Sequence, residues 1–276
     1  MEFFLVALAV FLFCFILTRV ILRPLLALLR TPWSMRPNYK GKEIPVGAGA
    51  VFLLALLPTA FLGFVAAPGY LDDRLVLSFL FLMAVTTLVG IIDDVLGARK
   101  VTGLKGHFGR LLRGELTTGG LKALAIALGS LVVFAGTVDI WEALLNATLV
   151  SLFVNALNMF DLRPGRAGKV FLVTALAVTL AAWKEQNLVP MWAVGGSLLA
   201  LFPLDLRAKA MMGDAGANTL GAALGLTIAW TVGINTRLGI LAALLILHLL
   251  AERYSFTKII AGNRILNFLD LLGRRE

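Results

Sequence analysis

Nine apolar runs, each close to the length of a bilayer-crossing helix, constrain this chain more than any other feature. They read approximately 3–22, 46–66, 74–92, 120–136, 140–158, 168–183, 188–204, 216–233 and 238–251. A spanning helix needs about 20 predominantly apolar residues, so nine of them take up about two thirds of the chain. The remainder suffices for loops but not for a separate soluble domain. The chain is 59% hydrophobic and 15% charged, whereas a soluble domain has roughly 45–50% apolar and about 25% charged residues. The expectation is all-α: a polytopic membrane helical bundle of about nine transmembrane helices, one domain over 1–276, without repeats. The first run has no basic segment before it, and Arg19, Arg23 and Arg30 follow it. It therefore reads as an uncleaved helix rather than a signal peptide.

The net charge of +9 is distributed by topology. With nine spans, one side collects the loops around 19–45, 93–119, 159–169, 205–215 and 252–276. Counting Lys122 just inside its helix, that side holds 22 of the 25 Lys and Arg residues; the other has Arg74, Lys184 and Arg237. Lys/Arg bias sets orientation, so the N-terminus is expected outside and the C-terminus in the cytoplasm of a cell-membrane protein. A nucleic-acid partner is not expected, since no compact basic domain with base-stacking aromatics exists. Cys14, the single cysteine, excludes an intrachain disulfide and a cysteine-based zinc site. His107 and His248 read as structural, with a lesser option of a role for His107 in its basic loop.

The basic side also carries acidic residues in unusual places. Asp93 and Asp94 close the third helix in Gly90-Ile91-Ile92-Asp93-Asp94, where carboxylates oppose the helix dipole at a cost of ~0.3–1 kcal/mol each. A solvated pair balanced by Arg99 and Lys100 is the plainer account. A site for a hard cation completed by phosphate is the sharper one. Asn155, Asn158 and Asp161 recur every three residues on one face of the fifth helix. Interhelical glue explains the amides, at ~0.6 kcal/mol on average, but not a carboxylate at a helix C-terminus. Asp214, in Gly213-Asp214-Ala215-Gly216, is either an N-cap or a ligand-facing group between glycines that allow close approach. Lys122 either snorkels or meets phosphate. Together these residues put several carboxylates in a basic surround without thiols or clustered histidines, a mix suited to Mg²⁺-assisted phosphoryl chemistry.

Four blocks resemble the polyprenyl-phosphate N-acetylhexosamine-1-phosphate transferases, the glycosyltransferase family 4 membrane superfamily. Gly90 to Asp94 is similar to the family's paired-aspartate motif, and Asn155-Ala156-Leu157-Asn158-Met159-Phe160-Asp161 to its Asn-x-x-Asn-x-x-Asp motif. Gly213 to Gly216 with Leu220-Gly221 resembles its Gly-Asp-x-Gly-Ser-x-x-Leu-Gly motif, and Pro45 to Gly49 its approach to the second helix. The family pattern departs after Asp161. Leu162-Arg163-Pro164-Gly165-Arg166-Ala167 stands where Asp-Gly-x-Asp-Gly-Leu-Ala is usual, so Pro164 replaces a second aspartate. Ala217 replaces the usual serine, and a short basic tail, Tyr254 to Glu276, follows the ninth span in place of a histidine-rich loop and final helix.

The resemblance implies transfer of a sugar-1-phosphate, an N-acetylhexosamine-1-phosphate, from a UDP-sugar to polyprenyl (undecaprenyl) phosphate, with UMP released. It implies Mg²⁺, with Mn²⁺ as the alternative, and membrane lipid around the bundle; a homodimer stays open as the assembly. Asp93, Asp94 and Asp214 take the catalytic roles. Asp214 is the first metal ligand, with Asp94 beside it, while Asp93 orients or deprotonates the attacking phosphate. Lys122 neutralises phosphate charge, and Asn155, Asn158 and Asp161 position the diphosphate. Arg163 and Arg166 are expected to help hold the donor in place of the histidine-rich loop, against the plainer reading of positive-inside anchoring. A catalytically silent binding or regulatory relative is the first competitor. A transporter of lipid-linked or phosphorylated solutes ranks last, since it calls for polar groups near the bilayer midplane.

Overall fold

The computed structural model describes residues 2–97, 110 and 116–274. Arg99, Lys100 and His107 lie outside the described residues. Among the described residues there are nine helices of 16 to 27 residues: α1 (Glu2–Leu28), α2 (Val51–Ala66), α3 (Asp73–Leu96), α4 (Thr118–Phe134), α5 (Ile140–Phe160), α6 (Arg166–Ala181), α7 (Val189–Leu206), α8 (Gly213–Thr231) and α9 (Ile234–Arg253). Two short helices come after them, α10 (Phe256–Gly262) and α11 (Arg264–Leu271). Each apolar run of the sequence overlaps one long helix. The all-α expectation missed one element, an antiparallel pair of three-residue strands, β1 (Met35–Pro37) and β2 (Glu43–Pro45), in register at Arg36 and Ile44.

Six segments are long and apolar enough to cross a membrane: Phe4–Leu28, Ala48–Ala66, Asp73–Leu96, Ile140–Phe160, Gln186–Leu206 and Ile234–Arg253. Of the others, α4 is apolar but has 17 residues, and α6 has 16. The third exception, α8, has a different cause. It is buried almost all round, packed between α5 and α3. A helix enclosed by protein rather than lipid needs small side chains for close packing more than it needs hydropathy. The sequence Gly213-Asp214-Ala215-Gly216-Ala217-Asn218-Thr219 supplies them. On the α3 side, the Thr87 and Thr219 hydroxyls lie 3.0 Å apart.

The first helix also differs from expectation. It continues through Pro24 to Leu28, so Arg19 and Arg23 lie on its exposed face within the last three turns. At the far end of the bundle, two of the three basic residues are used in packing. Arg237 is buried and donates to Glu142 Oε1 at 2.8 Å and Asn146 Oδ1 at 2.7 Å, tying α9 to α5. Arg74 donates to the Ala135 carbonyl at 3.2 Å.

Candidate active site

The chemistry-bearing residues gather where α3 ends and α8 begins. The strand β2 leads into a single 3-10 turn, Ala48–Ala50, that runs beside the start of α8. Ala48 and Gly49 donate backbone hydrogen bonds to the Met211 and Met212 carbonyls at 3.1 and 2.9 Å, and Met211 donates to the Pro45 carbonyl at 2.8 Å. This contact is closed by glycines. A Cβ on Gly49 would sit 2.1 Å from the Gly216 Cα. Gly213 has φ +71°, and a Cβ there would meet the Asp94 carboxylate at 2.5 Å. One of the two sequence readings took the glycines around Asp214 as room for a ligand; what approaches closely is the chain's own backbone and Asp94.

Asp94 explains itself at this junction. Its Oδ1 accepts the Asp214 amide at 2.9 Å and its Oδ2 the Ala215 amide at 3.2 Å. The residue preceding α8, Met212, offers no side-chain cap, so a carboxylate from another helix supplies it. The α8 N-terminus offsets the unfavourable field that Asp94 meets at the end of its own helix. Arg36 donates to the Asp94 and Val95 carbonyls at 3.2 and 3.1 Å, closing the C-terminus of α3. Both oxygens of Asp94 thus hold the start of α8. Asp94→Ala is expected to cost about 1 kcal/mol of stability, as loss of a cap does, visible as a lower thermal midpoint in detergent.

With the cap supplied from elsewhere, Asp214 is not an N-cap, and its carboxylate turns to Lys122. The Lys122 ammonium lies 2.9 Å from Asp93 Oδ2 and makes a second, short ion pair with Asp214 Oδ2. The three side chains are partly exposed, at 18% for Lys122, 20% for Asp93 and 29% for Asp214. Lys122 enters from α4, whose start is capped by Thr117 on the Gly120 amide at 3.0 Å. The lysine therefore neither snorkels nor stands free: it bridges two carboxylates from two other helices. Among the described residues no three His, Cys, Asp or Glu side chains converge, so an all-protein metal cage is absent there. Two carboxylates are what Mg²⁺ commonly takes from protein when phosphate completes its shell.

The polar row of α5 divides. Asn158 donates to Asn218 Oδ1 at 2.6 Å, and the fully buried Asn218 reaches the Thr86 carbonyl at 3.5 Å, linking α5, α8 and α3. Asn158 Oδ1 is itself buried without a hydrogen-bond partner. Asn155 is exposed. Asp161 closes α5 as its C-cap. Desolvation raises its pKa well above the usual carboxylate value, and the charges of Asp205, Asp214 and Asp94 push the same way.

The two arginines part company. Arg163 lies over the Tyr39 ring at 5.5 Å from its centroid. Arg166 is buried and faces away, with its Nε and Nη2 on the two oxygens of Asp270 at 2.8 and 2.9 Å and its Nη1 on Thr257 at 3.2 Å. Its planar fork is occupied by α10 and α11, so the structure does not bring Arg166 to the carboxylate cluster. Sequence reasoning overlooked Arg36, Asn218 and Asp205. The last is a buried carboxylate at the end of α7 that accepts the Gly165 amide at 2.7 Å and fixes the turn between α5 and α6.

The described residues form a helical bundle with six helices long and apolar enough to cross a membrane and a carboxylate–lysine centre at one end. Residues 53–232 match the family model of glycosyl transferase family 4. Over 206 residues the chain is 30% identical to decaprenyl-phosphate N-acetylglucosaminephosphotransferase of Mycobacterium leprae (strain TN), an alignment spanning 68% of this chain and 49% of the relative. The chain belongs to glycosyl transferase family 4. It spans about half the length of this curated relative. The family match runs from within α2 to the end of α8, takes in Asp93, Lys122 and Asp214, and ends before α9, α10 and α11.

Proposed function

We propose that the chain transfers an N-acetylhexosamine-1-phosphate from a UDP-sugar to polyprenyl phosphate at the cytoplasmic face of the cell membrane, releasing UMP. The observation that carries this reading is the Asp93–Lys122–Asp214 cluster, built from three helices inside the family match. An oxygen of the lipid phosphate forms a bond to the sugar-bearing phosphorus of the donor. The bridging bond to the nucleotide phosphate breaks, and its electron pair leaves on UMP. Little covalent chemistry falls to the protein in such a transfer; positioning and charge stabilisation do most of the work.

Asp93 orients the attacking phosphate and accepts its proton if it arrives protonated. Lys122, already set between two carboxylates, offers its ammonium to the phosphate oxygens as negative charge accumulates there. Asp214 and Asp93 are the residues that would hold Mg²⁺, which when bound neutralises diphosphate charge and polarises the phosphorus. Asp94 acts indirectly, by fixing the α8 N-terminus that carries Asp214. The exposed amide of Asn155, together with Asn158 and Asp161, lines the approach on α5 for the donor, and Arg163 on its Tyr39 platform stands at its edge. Incubation of the purified protein with polyprenyl phosphate, Mg²⁺ and a panel of UDP-sugars, followed by mass analysis of the lipid, tests the assignment. A lipid heavier by one sugar phosphate is expected with at least one donor; unaltered lipid with every donor would favour a binding relative without turnover.

Nine spans, with the carboxylate end in the cytoplasm, complete the reading, supported by the 22:3 distribution of Lys and Arg. Single cysteines test it in intact cells. Lys40→Cys, in the exposed loop between β1 and β2, should resist a membrane-impermeant reagent, and Gln186→Cys should react. The reverse pattern would overturn the orientation.

A further inference from the structure

The segment after α9 lies outside the family match, and it contains a short helix, α11, with an apolar face exposed and a polar face turned toward the protein. Ile265, Phe268, Leu269 and Leu272 follow the spacing of a single helical face and are exposed at 72%, 65%, 49% and 55%. The opposite face is polar and turned toward the protein. Asp270 on that face is buried, and it binds Arg166 through both oxygens and Arg274 at 2.7 Å. Its carboxyl is desolvated, yet Arg166 and Arg274 hold its pKa below the usual carboxylate value, so it stays ionised.

Further contacts fasten the same segment to the turn after Asp161. Lys169 donates to the Leu269 and Asp270 carbonyls at 2.9 and 2.7 Å, closing the C-terminus of α11. Arg274 donates to the Pro164 carbonyl at 2.7 Å. At the near end, Phe256 of α10 stacks on Phe160 with ring centroids 5.6 Å apart. Pro164 and Arg166, two of the positions where the chain leaves its family pattern, are thus contact points for α10 and α11.

We infer that α11 lies in the membrane–water interface at the carboxylate end of the bundle, its apolar face in lipid and its polar face clamped on the α5–α6 turn, so that the bilayer surface braces the turn carrying Asp161. Three observations favour lipid as the occupant of the apolar face. The lipid-facing α9 ends at Arg253, only ten residues before α11 begins, too short a connection to carry the helix far from the bilayer. Exposed Arg264 adjoins the apolar face and exposed Lys258 precedes it on α10, basic groups of the kind with which interfacial helices seat on anionic lipid. Trp33, an exposed aromatic suited to the interface, is at the same end of the bundle, next to Ser34, which closes the start of the β1–β2 ribbon by accepting the Val46 amide at 2.8 Å.

Spin labels in the full chain, reconstituted in vesicles of phosphatidylethanolamine and phosphatidylglycerol, test this without any assay of turnover. Ile265, Phe268 and Leu272 are replaced one at a time by cysteine; the native Cys14 is fully buried and stays unlabelled. Collision with oxygen relative to a water-soluble nickel chelate should be several-fold higher at all three positions than at a label on exposed Lys40. Chelate access equal to that at Lys40 would place the face in water. Shielding from both reagents would place it against protein, and either result overturns the inference. The brace has its own measurement. A label on exposed Leu162 should become more mobile when Ile265 and Phe268 are both changed to Ser, and an unchanged spectrum would overturn it.

Discussion

Asp214→Asn is expected to lower turnover by about 10³-fold, roughly 4 kcal/mol of transition-state stabilisation, while leaving the thermal midpoint nearly unchanged. The two halves of this expectation have separate origins. The substitution keeps the size of the side chain but removes the charge that would hold Mg²⁺ and balance Lys122. Stability is spared because α8 takes its cap from Asp94 and not from Asp214. Asp93→Asn should behave alike, since Asp93 shares the same ammonium at 2.9 Å. UMP release and a melting curve on the same preparation check both halves. A variant turning over near the parent rate would remove its residue from the chemistry.

The largest effect on stability is expected at Gly49. A Cβ there would fall 2.1 Å from the Gly216 Cα, 2.3 Å from its amide nitrogen and 2.9 Å from the Met212 carbonyl oxygen. All three are backbone atoms, held by the ladder that joins the turn to the start of α8, so no side chain can move aside. Gly49→Ala is therefore expected to cost about 3 kcal/mol or more, at or beyond the upper end of ordinary overpacking, and to pull Asp214 out of line with Lys122. Gly63→Ala, where a Cβ meets nothing within 4 Å, is the matched control. It sits inside α2 and should be neutral or stabilising by up to ~1 kcal/mol. Equal melting of the two variants would contradict the close crossing.

The gathering of Asp93, Lys122 and Asp214 was legible because alternating helices must put every second end on one side, and each of the three sits at such an end. Which aspartate of the doublet faces the lysine was not legible. Neighbours on a helix point about 100° apart, and only the position of α8 decides that Asp94 meets amides and Asp93 meets Lys122. Asn218 did leave a signal: it stands four residues after Asp214, on the same face of α8, inside a stretch read only for its family motif. Asp205 left none, being a lone acid at the end of an apolar run whose partner is a backbone amide. The partner of Arg166 was not legible for a physical reason. The arginine's charge lies beside the Asn155–Asp161 motif in sequence, but its partner Asp270 is 104 residues away, and a buried guanidinium goes to the carboxylate that satisfies its fork. The strands β1 and β2, three residues each, are too short to show an alternating pattern.

Stoichiometry offers the most direct test of the central claim, that the carboxylate–lysine centre joins a lipid phosphate to a donor phosphate. UMP and lipid-linked sugar are counted together from the purified protein, with polyprenyl phosphate, Mg²⁺ and the donor identified by mass. The account predicts one UMP per lipid product, and no UMP when polyprenyl phosphate is omitted. UMP formed at the same rate without the lipid, or no UMP with any donor, would contradict it.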